Sequence, residues 1–356
     1  MSRMFVPGPV DVDDAVLQAQ AQPMLPHRSK EFEAAYRAVS EKAKRLFDTH
    51  HRVFLTASSG TGLQEAAIRN FVDRKVLACV NGAFADRWYE VAVSNGKDVE
   101  KLAFEWDEPV SPDRVAAAVK QGGHEALTIV HNETSTGLQN PVREVAEAVR
   151  AVAPDTLLLV DAVSSLGGAK IEMDAWGLDM VLTSSQKAIA LPPGLALGAV
   201  TDRAMKKAEK VENRGWYFDL VRMEKHRLKD SSPATPAMSL IFALDHQLDR
   251  ILAEGLEARF ARHSAMARRV QDWAEAHGLG IYAPEGYRSQ TVTTIENERG
   301  WDISALNAFL KERGMRIANG YGQLKNITFR IAHMGEIQMS DIDELLAAME
   351  EFLRDA

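Results

Sequence analysis

Two stretches decide the fold: LLLVDAVSSLGG at residues 157–168 and LTSSQKAIALPPG at residues 182–194. The first opens on Leu157, Leu158, Leu159 and Val160 before reaching Asp161. An apolar run with no polar alternation reads as a strand covered on both faces. Further runs of strand length lie at Arg52–Leu55, Val76–Val80, Ala126–His131, Met180–Thr183 and Leu197–Thr201. Amphipathic stretches separate them, at Gly62–Phe71, Phe84–Ser94, Ser111–Gln121 and Val142–Val152. Strands and helices in alternation predict βαβ units, hence an α/β fold with a mostly parallel sheet flanked by helices. In such sheets ligands gather beyond the carboxyl ends of the strands.

Asp161 and Lys187 both stand at such ends, one strand apart. Lys187 lies between a buried strand and the Pro192–Pro193–Gly194 turn, a poor place for a solvated charge. A sequestered lysine loses affinity for its proton and attacks carbonyls as the free amine. A plain loop lysine is the competing reading. Asp161 has no second acid or histidine at ligand spacing, which argues against a metal. A lysine for an aldehyde and a carboxylate for a ring nitrogen suit pyridoxal phosphate. LTASSGTGLQEAAIRNF (55–71) adds a strand, then Ser58–Ser59–Gly60–Thr61–Gly62, then a helix. It lacks the Gly-Lys-Ser/Thr ending of a nucleotide loop, and a short cradle for one phosphomonoester fits better. In VNGAFADRWYE (80–90), Phe84 opens a helix just past a strand, where it either packs in the core or stacks on a ring.

The 356 residues carry a net charge of −8, with 46% hydrophobic and 26% charged residues. These values fit a globular chain and exclude collagenous or disordered classes. The acidic balance argues against nucleic acid as a partner. No apolar run is long enough to cross a membrane, and no secretory signal is read at the N-terminus. The single cysteine, Cys79, excludes a disulfide framework and fits the cytoplasm. It lies in the apolar run KVLACV and reads as a buried strand residue. His51, His124, His226, His246, His263 and His277 sit in polar or helical contexts and read as solvated.

Past about residue 205 the βα rhythm ends. A charged helical region leads to the extended SSPATPA (231–237), then to helix from Met238 to His277, broken near Glu254–Gly255. QTVTTI and ITFRIAH read as strands, and Ile303–Gly314 and Ser340–Leu353 as helices. The expected organisation is an N-terminal arm (1–20), a large cofactor-binding domain (21–245) and a smaller α+β domain (246–356) completed by the arm.

SSQKAIALPPG, VDAVSSLGG, HNETSTG (131–137), FVPGPV (5–10) and FRIAHMG (329–335) together resemble the class V, fold type I pyridoxal-phosphate aminotransferases. The likeness spans nearly the whole chain. It is nearest to the alanine/serine–glyoxylate (serine–pyruvate) branch, with phosphoserine aminotransferases close by. The resemblance implies a seven-stranded-type sheet, pyridoxal 5'-phosphate as cofactor and a homodimer with shared active sites. It implies that Lys187 forms the Schiff base and Asp161 pairs with the pyridine nitrogen. Ser59, Gly60 and Thr61 match the phosphate turn, and Gln186 matches a further phosphate contact. Phe84 and Val163 match the two ring faces, and Thr134 matches the partner of the ring's phenolic oxygen. Thr235 matches a threonine that reaches the neighbouring subunit's phosphate, and Arg330 matches the arginine that clamps the substrate α-carboxylate. An arginine fork gives two parallel bonds to a carboxylate.

The implied reaction moves an amino group from alanine or serine to glyoxylate or pyruvate by a ping-pong mechanism. Phosphoserine with 2-oxoglutarate is the alternative. For it, His27, Arg28 and His333 form a cationic set that would hold a phosphate or second carboxylate. Aspartate as donor ranks lower. So does cysteine desulfurase-like lyase chemistry, since Cys79 is in an apolar run and Gln186 stands where desulfurases carry histidine.

Overall fold

The computed structural model describes residues 3–355. In chain order its strands are β1 (Arg3–Phe5), β2 (Arg52–Thr56), β3 (Lys75–Val80), β4 (Asp98–Ala103), β5 (Ala126–Val130), β6 (Asn132–Glu133), β7 (Leu138–Gln139), β8 (Leu157–Asp161), β9 (Met180–Ser184), β10 (Ala196–Val200), β11 (Val292–Glu296), β12 (Met315–Asn319) and β13 (Thr328–Ala332). The helices are α1 (Asp14–Ala19), α2 (Lys30–Phe47), α3 (Gly60–Phe71), α4 (Ala83–Ser94), α5 (Pro112–Gly122), α6 (Val142–Val152), α7 (Asp202–Ala208), α8 (Leu220–Arg227), α9 (Met238–Glu254), α10 (Leu256–Ala276), α11 (Ile303–Glu312) and α12 (Met339–Asp355).

Seven strands form one sheet in the order β2-β10-β9-β8-β5-β3-β4. All its pairings are parallel except those of β10, which runs against both β2 and β9. Alternate residues of one strand feed two cores. Leu158 and Val160 of β8 join α2, α5, α6 and α9, while Leu157 and Leu159 join α3, α4, α7 and α8. That double burial is why the strands read as unbroken apolar runs.

A second sheet has the order β1-β12-β13-β11. Residues 3–5 pair in parallel with β12, at the far end of the chain. Phe5 packs there with Phe329, Ile331, Trp273 and Leu345, in a core roofed by α10, α11 and α12. The helix from 238 onward is broken at Gly255, as its sequence suggests. Leu248 and Ile251 of α9 still belong to the core of the large sheet.

Among the elements without a reading from sequence are α2, β4 and β12. Helix α2 is amphipathic and Ser29-capped, yet it follows no strand. β4 is a polar edge strand, with exposed Asp98, Glu100 and Lys101. β12 carries an exposed arginine in mid-strand. The solvated reading fails for two histidines. His124 is buried and bonds Glu100, at 3.0 Å. His263 is fully buried, and its Nε2 accepts from Gly335 N–H at 3.2 Å.

Candidate active site

Register places Thr56 of β2 and Ser184 of β9 level with Ala196 of β10 between them. Asp161 ends β8, paired with Leu182 of β9. The loops that leave these strands therefore open side by side into one cavity of about 300 Å³. Ser59, Gly60, Thr61, Phe84, Thr134, Asp161, Val163, Gln186 and Lys187 all line it.

Ser59 is the N-cap of α3, yet its side chain makes no capping bond, so the first turn keeps free donors toward the cavity. At Gly60 a Cβ would fall 2.4 Å from Val163 Cγ2, so only glycine lets the turn lie against the loop after β8. Asp161 is buried. Its Oδ1 accepts from Val163 N–H at 2.8 Å and its Oδ2 from Gln64 Nε2 at 2.6 Å. Burial lifts its pKa to about 6, against the lowering effect of these bonds and of Lys187.

Lys187 sits in a loop tied from several directions. Within the loop, Ser185 Oγ donates to Pro192 O at 2.7 Å and Leu191 N–H to Ser185 O at 3.0 Å. From outside, Val10 N–H donates to Gln186 O, Arg259 Nη2 to Ala188 O and Gln247 Nε2 to Ile189 O. Lys187 Nζ donates to Pro7 O. Burial, with Arg330 nearby, brings the lysine pKa down to about 8. The amine is thus far easier to deprotonate than an exposed lysine.

Opposite stands α4. Its first turn is capped from outside by Glu133, fully buried, whose carboxylate accepts from Phe84 N–H (3.1 Å), Ala85 N–H (3.0 Å) and Ser135 Oγ (2.6 Å). Burial nonetheless raises the Glu133 pKa. The Phe84 ring stacks on Tyr321, with centroids 5.4 Å apart and planes at 19°. Arg330 is buried behind Tyr321, its Cζ 5.4 Å from the ring centroid. Its Nη1 donates to Thr134 O at 3.1 Å and its Nε to Asn319 O at 3.0 Å. Burial brings its pKa down to about 10, so it stays charged at neutral pH.

The cavity also gathers residues that sequence reasoning passed over. Asn132 has both side-chain amide atoms buried without a partner, as are Gln64 Oε1 and Ser184 Oγ, and the expected phosphate contact Gln186 likewise has its Oε1 unpartnered. Such unspent polar atoms are costly unless a polar ligand meets them. Asn132 and Glu133 lie inside HNETSTG, and Gln64 is one turn into α3, so local signals existed. Gly8 and Tyr321 carried none, since each arrives from a distant segment.

Four other candidates lie elsewhere within the chain. Arg28 donates to Ser231 Oγ and to Ser232 O at 2.9 Å, and neither it nor His27 lines the cavity. His333 is fully buried, its Nε2 and Thr293 Oγ1 2.9 Å apart and its Nδ1 3.1 Å from Gln290 O. Burial lowers its pKa to about 4, which leaves it neutral. Thr235 lines a separate pocket with Thr56, Ala57 and Tyr217. Cys79 is buried in β3 and burial pushes its thiol pKa up, so no thiolate is poised for sulfur chemistry.

The family model for aminotransferase class V matches residues 14–340. The chain belongs to that family. As a class V aminotransferase its substrates are amino acids and 2-oxo acids. It is 36% identical to the L-aspartate–glyoxylate aminotransferase of Paracoccus denitrificans, over 94% of this chain and 86% of that one. It is 32% identical to the serine–glyoxylate aminotransferase of Methylorubrum extorquens, over 99% and 91%. The solved alanine–glyoxylate aminotransferase of a Nostoc species superposes with a TM-score of 0.93 at 31% identity, covering 99% and 96%. The fold expected from sequence, a mostly parallel seven-stranded sheet flanked by helices, is that of these enzymes. No helix among the described residues is long and apolar enough to cross a membrane.

Proposed function

We propose that the chain binds pyridoxal phosphate in this cavity and passes the amino group of a small amino acid, alanine or serine, to glyoxylate or pyruvate. The single observation that carries the reading is that Lys187 and Asp161 line the same cavity, beside the free first turn of α3. The donor set suits the cofactor. Ser59, Gly60, Thr61 and Gln186 would hold its phosphate, and Thr134 its phenolic oxygen. Phe84 and Val163 would cover its ring faces. The unpartnered amide of Asn132 and hydroxyl of Ser184 are the polar groups a ligand there would satisfy. When bound, the cofactor supplies an electron sink that makes the substrate Cα–H acidic.

The chain's own residues do the rest. Asp161, ionised once its counter-charge is in place, holds a proton on the ring nitrogen. Lys187 takes and returns the Cα proton, a task matched to an amine with a pKa of about 8. Arg330 binds the α-carboxylate and fixes the substrate's orientation; its guanidinium makes no salt bridge among the described residues, its bonds going to backbone carbonyls. Glu133 holds α4, and with it Phe84, in place.

We further propose a homodimer. Trp216, Tyr217, Met24 and Leu228 are exposed apolar side chains, and Thr235 lies among segments that a second copy would cover. We place the division between the two units at Gly255 rather than at 245/246, because Leu248 and Ile251 pack in the large core. The cytoplasm is the proposed compartment, on the strength of the lone buried thiol.

A half-reaction screen tests the activity. Holoprotein mixed with alanine, serine, phosphoserine or aspartate should lose its cofactor absorbance band fastest with alanine or serine. A preference for phosphoserine above about tenfold would transfer the chain to the other branch.

A further inference from the structure

Two arginines at this site have no ion pair among the described residues, Arg330 and Arg87. The reading above spends the first on the substrate α-carboxylate and leaves the second unused. Arg87 is on α4, one turn after Phe84, and lines the cavity with Lys187, Asp161 and Tyr321. Its Cζ lies 4.9 Å from the Phe84 ring centroid. Its Nη2 donates to Tyr321 Oη at 3.2 Å, the one hydrogen bond its side chain makes among the described residues. Four of the five guanidinium N–H groups are therefore unspent. The charged side chains that share the cavity with it are Lys187 and Asp161, and these face each other's charge. Nothing there neutralises Arg87.

We infer that Arg87 is the subsite for a second carboxylate, so that the enzyme accepts, beside alanine or serine, a short dicarboxylic amino donor of the aspartate class. The inference rests on the transaminase reading and names the substrate class of the same site. The α-carboxylate lies on Arg330 and the side-chain carboxylate on Arg87. Tyr321 stands between the two guanidinium groups, 5.4 Å from one and bonded to the other. A planar fork recognises a carboxylate through paired bonds, which a lysine would not supply. The aromatic stack of Phe84 and Tyr321 fixes the fork before any ligand arrives. The cofactor phosphate has its own proposed place at the turn of residues 59–61, a different segment of the lining from α4. A cavity of about 300 Å³ shared with the cofactor favours a four-carbon donor over the longer glutamate.

The test compares wild-type holoenzyme with R87Q, R87K and Y321F. Donors are L-aspartate, L-alanine and L-phosphoserine, with glyoxylate as acceptor, and succinate and acetate are titrated by calorimetry as unreactive probes. Wild type should bind succinate at least about tenfold tighter than acetate, and R87Q should abolish that gap. The aspartate-to-alanine ratio of kcat/KM should fall about 30-fold or more in R87Q, less in R87K, and about threefold in Y321F. An unchanged ratio, or an equal loss for every donor, would reduce Arg87 to a brace for Phe84 and Tyr321. A collapse confined to phosphoserine would overturn the dicarboxylate assignment. Should R87Q misfold, R87K and Y321F decide by the same ratio. If wild type turns over no donor at all, the transaminase reading falls, while the succinate–acetate gap still judges Arg87.

Discussion

Ser59–Thr61, Asp161 and Lys187 stand on loops that leave neighbouring strands of one sheet, whereas Gly8 and Tyr321 reach the same cavity from the arm and the second sheet, with Arg330 behind Tyr321 and outside the lining. The first wall is coded locally: each residue ends or follows a strand with three or four consecutive apolar residues, and the register of β2, β10, β9 and β8 does the assembling. The second wall joins opposite ends of the chain, because β1 pairs with β12. The walls differ in charge as well. The sheet wall pairs an acid with an amine, and the other brings the guanidinium of Arg330 up behind Tyr321. The reacting groups and the Arg87 fork are thus placed on short-range βα units, and the Arg330 guanidinium on the wall that tertiary packing builds.

Lys187→Ala removes the reacting amine from the sheet wall and should lower turnover at least about 10⁴-fold. Single-turnover loss of amino group measures this, and borohydride treatment should no longer link cofactor to the chain. Substantial turnover without added amine would move the chemistry off that wall. On the opposite wall, Arg330→Leu should cost about 100-fold in kcat/KM for every donor and acceptor alike. Steady-state kinetics with alanine and with glyoxylate check it, and a loss confined to one substrate would contradict α-carboxylate binding.

Gly8 tests how the walls meet. Its φ is +105°, and a Cβ there would lie 2.6 Å from Lys187 Cδ and 2.8 Å from Nζ. Gly8→Ala should lower cofactor loading and kcat about tenfold, in line with strain of about 1–3 kcal/mol at a left-handed position. Thermal melts of the apo chain separate this from unfolding. If loading is normal, the arm does not form part of the wall.

The smallest effect is a pH dependence of stability. The Lys187 pKa falls from the usual 10.5 to about 8 on folding, chiefly through burial. A depressed amine contributes stability fully present above the unfolded value and lost as pH falls through the folded one. At pH 7 the buried charge therefore costs stability in the apo chain. Lys187→Met should raise apo stability there by about 1–2 kcal/mol, and the gain should vanish as pH climbs from 8 to 10.5. Denaturant titrations at several pH values read it, and a gain independent of pH would assign the effect to packing alone.

The sheet, its flanking helices and the Lys187–Asp161–Ser59 constellation could be read from the residues, because doubly buried strands and the loops after them carry short-range patterns. α2, β4 and β12 escaped, since an exposed edge or a helix outside the βα rhythm has no such pattern. The buried states of His124 and His263 escaped because a satisfied histidine looks like any other polar residue in a helix or turn.

By itself the sequence determined which strands are buried, which loops follow them and which residue types stand there, since these depend on neighbours a few positions apart. Only the tertiary structure decided that Gly8 touches Lys187, that Tyr321 and Arg87 close the far side, and that His333, His27 and Arg28 stand away from the cavity. Those placements follow from contacts between segments far apart in the chain, the pairing of β1 with β12 and the bonds of Arg28 to residues 231–232 among them, which no local pattern records.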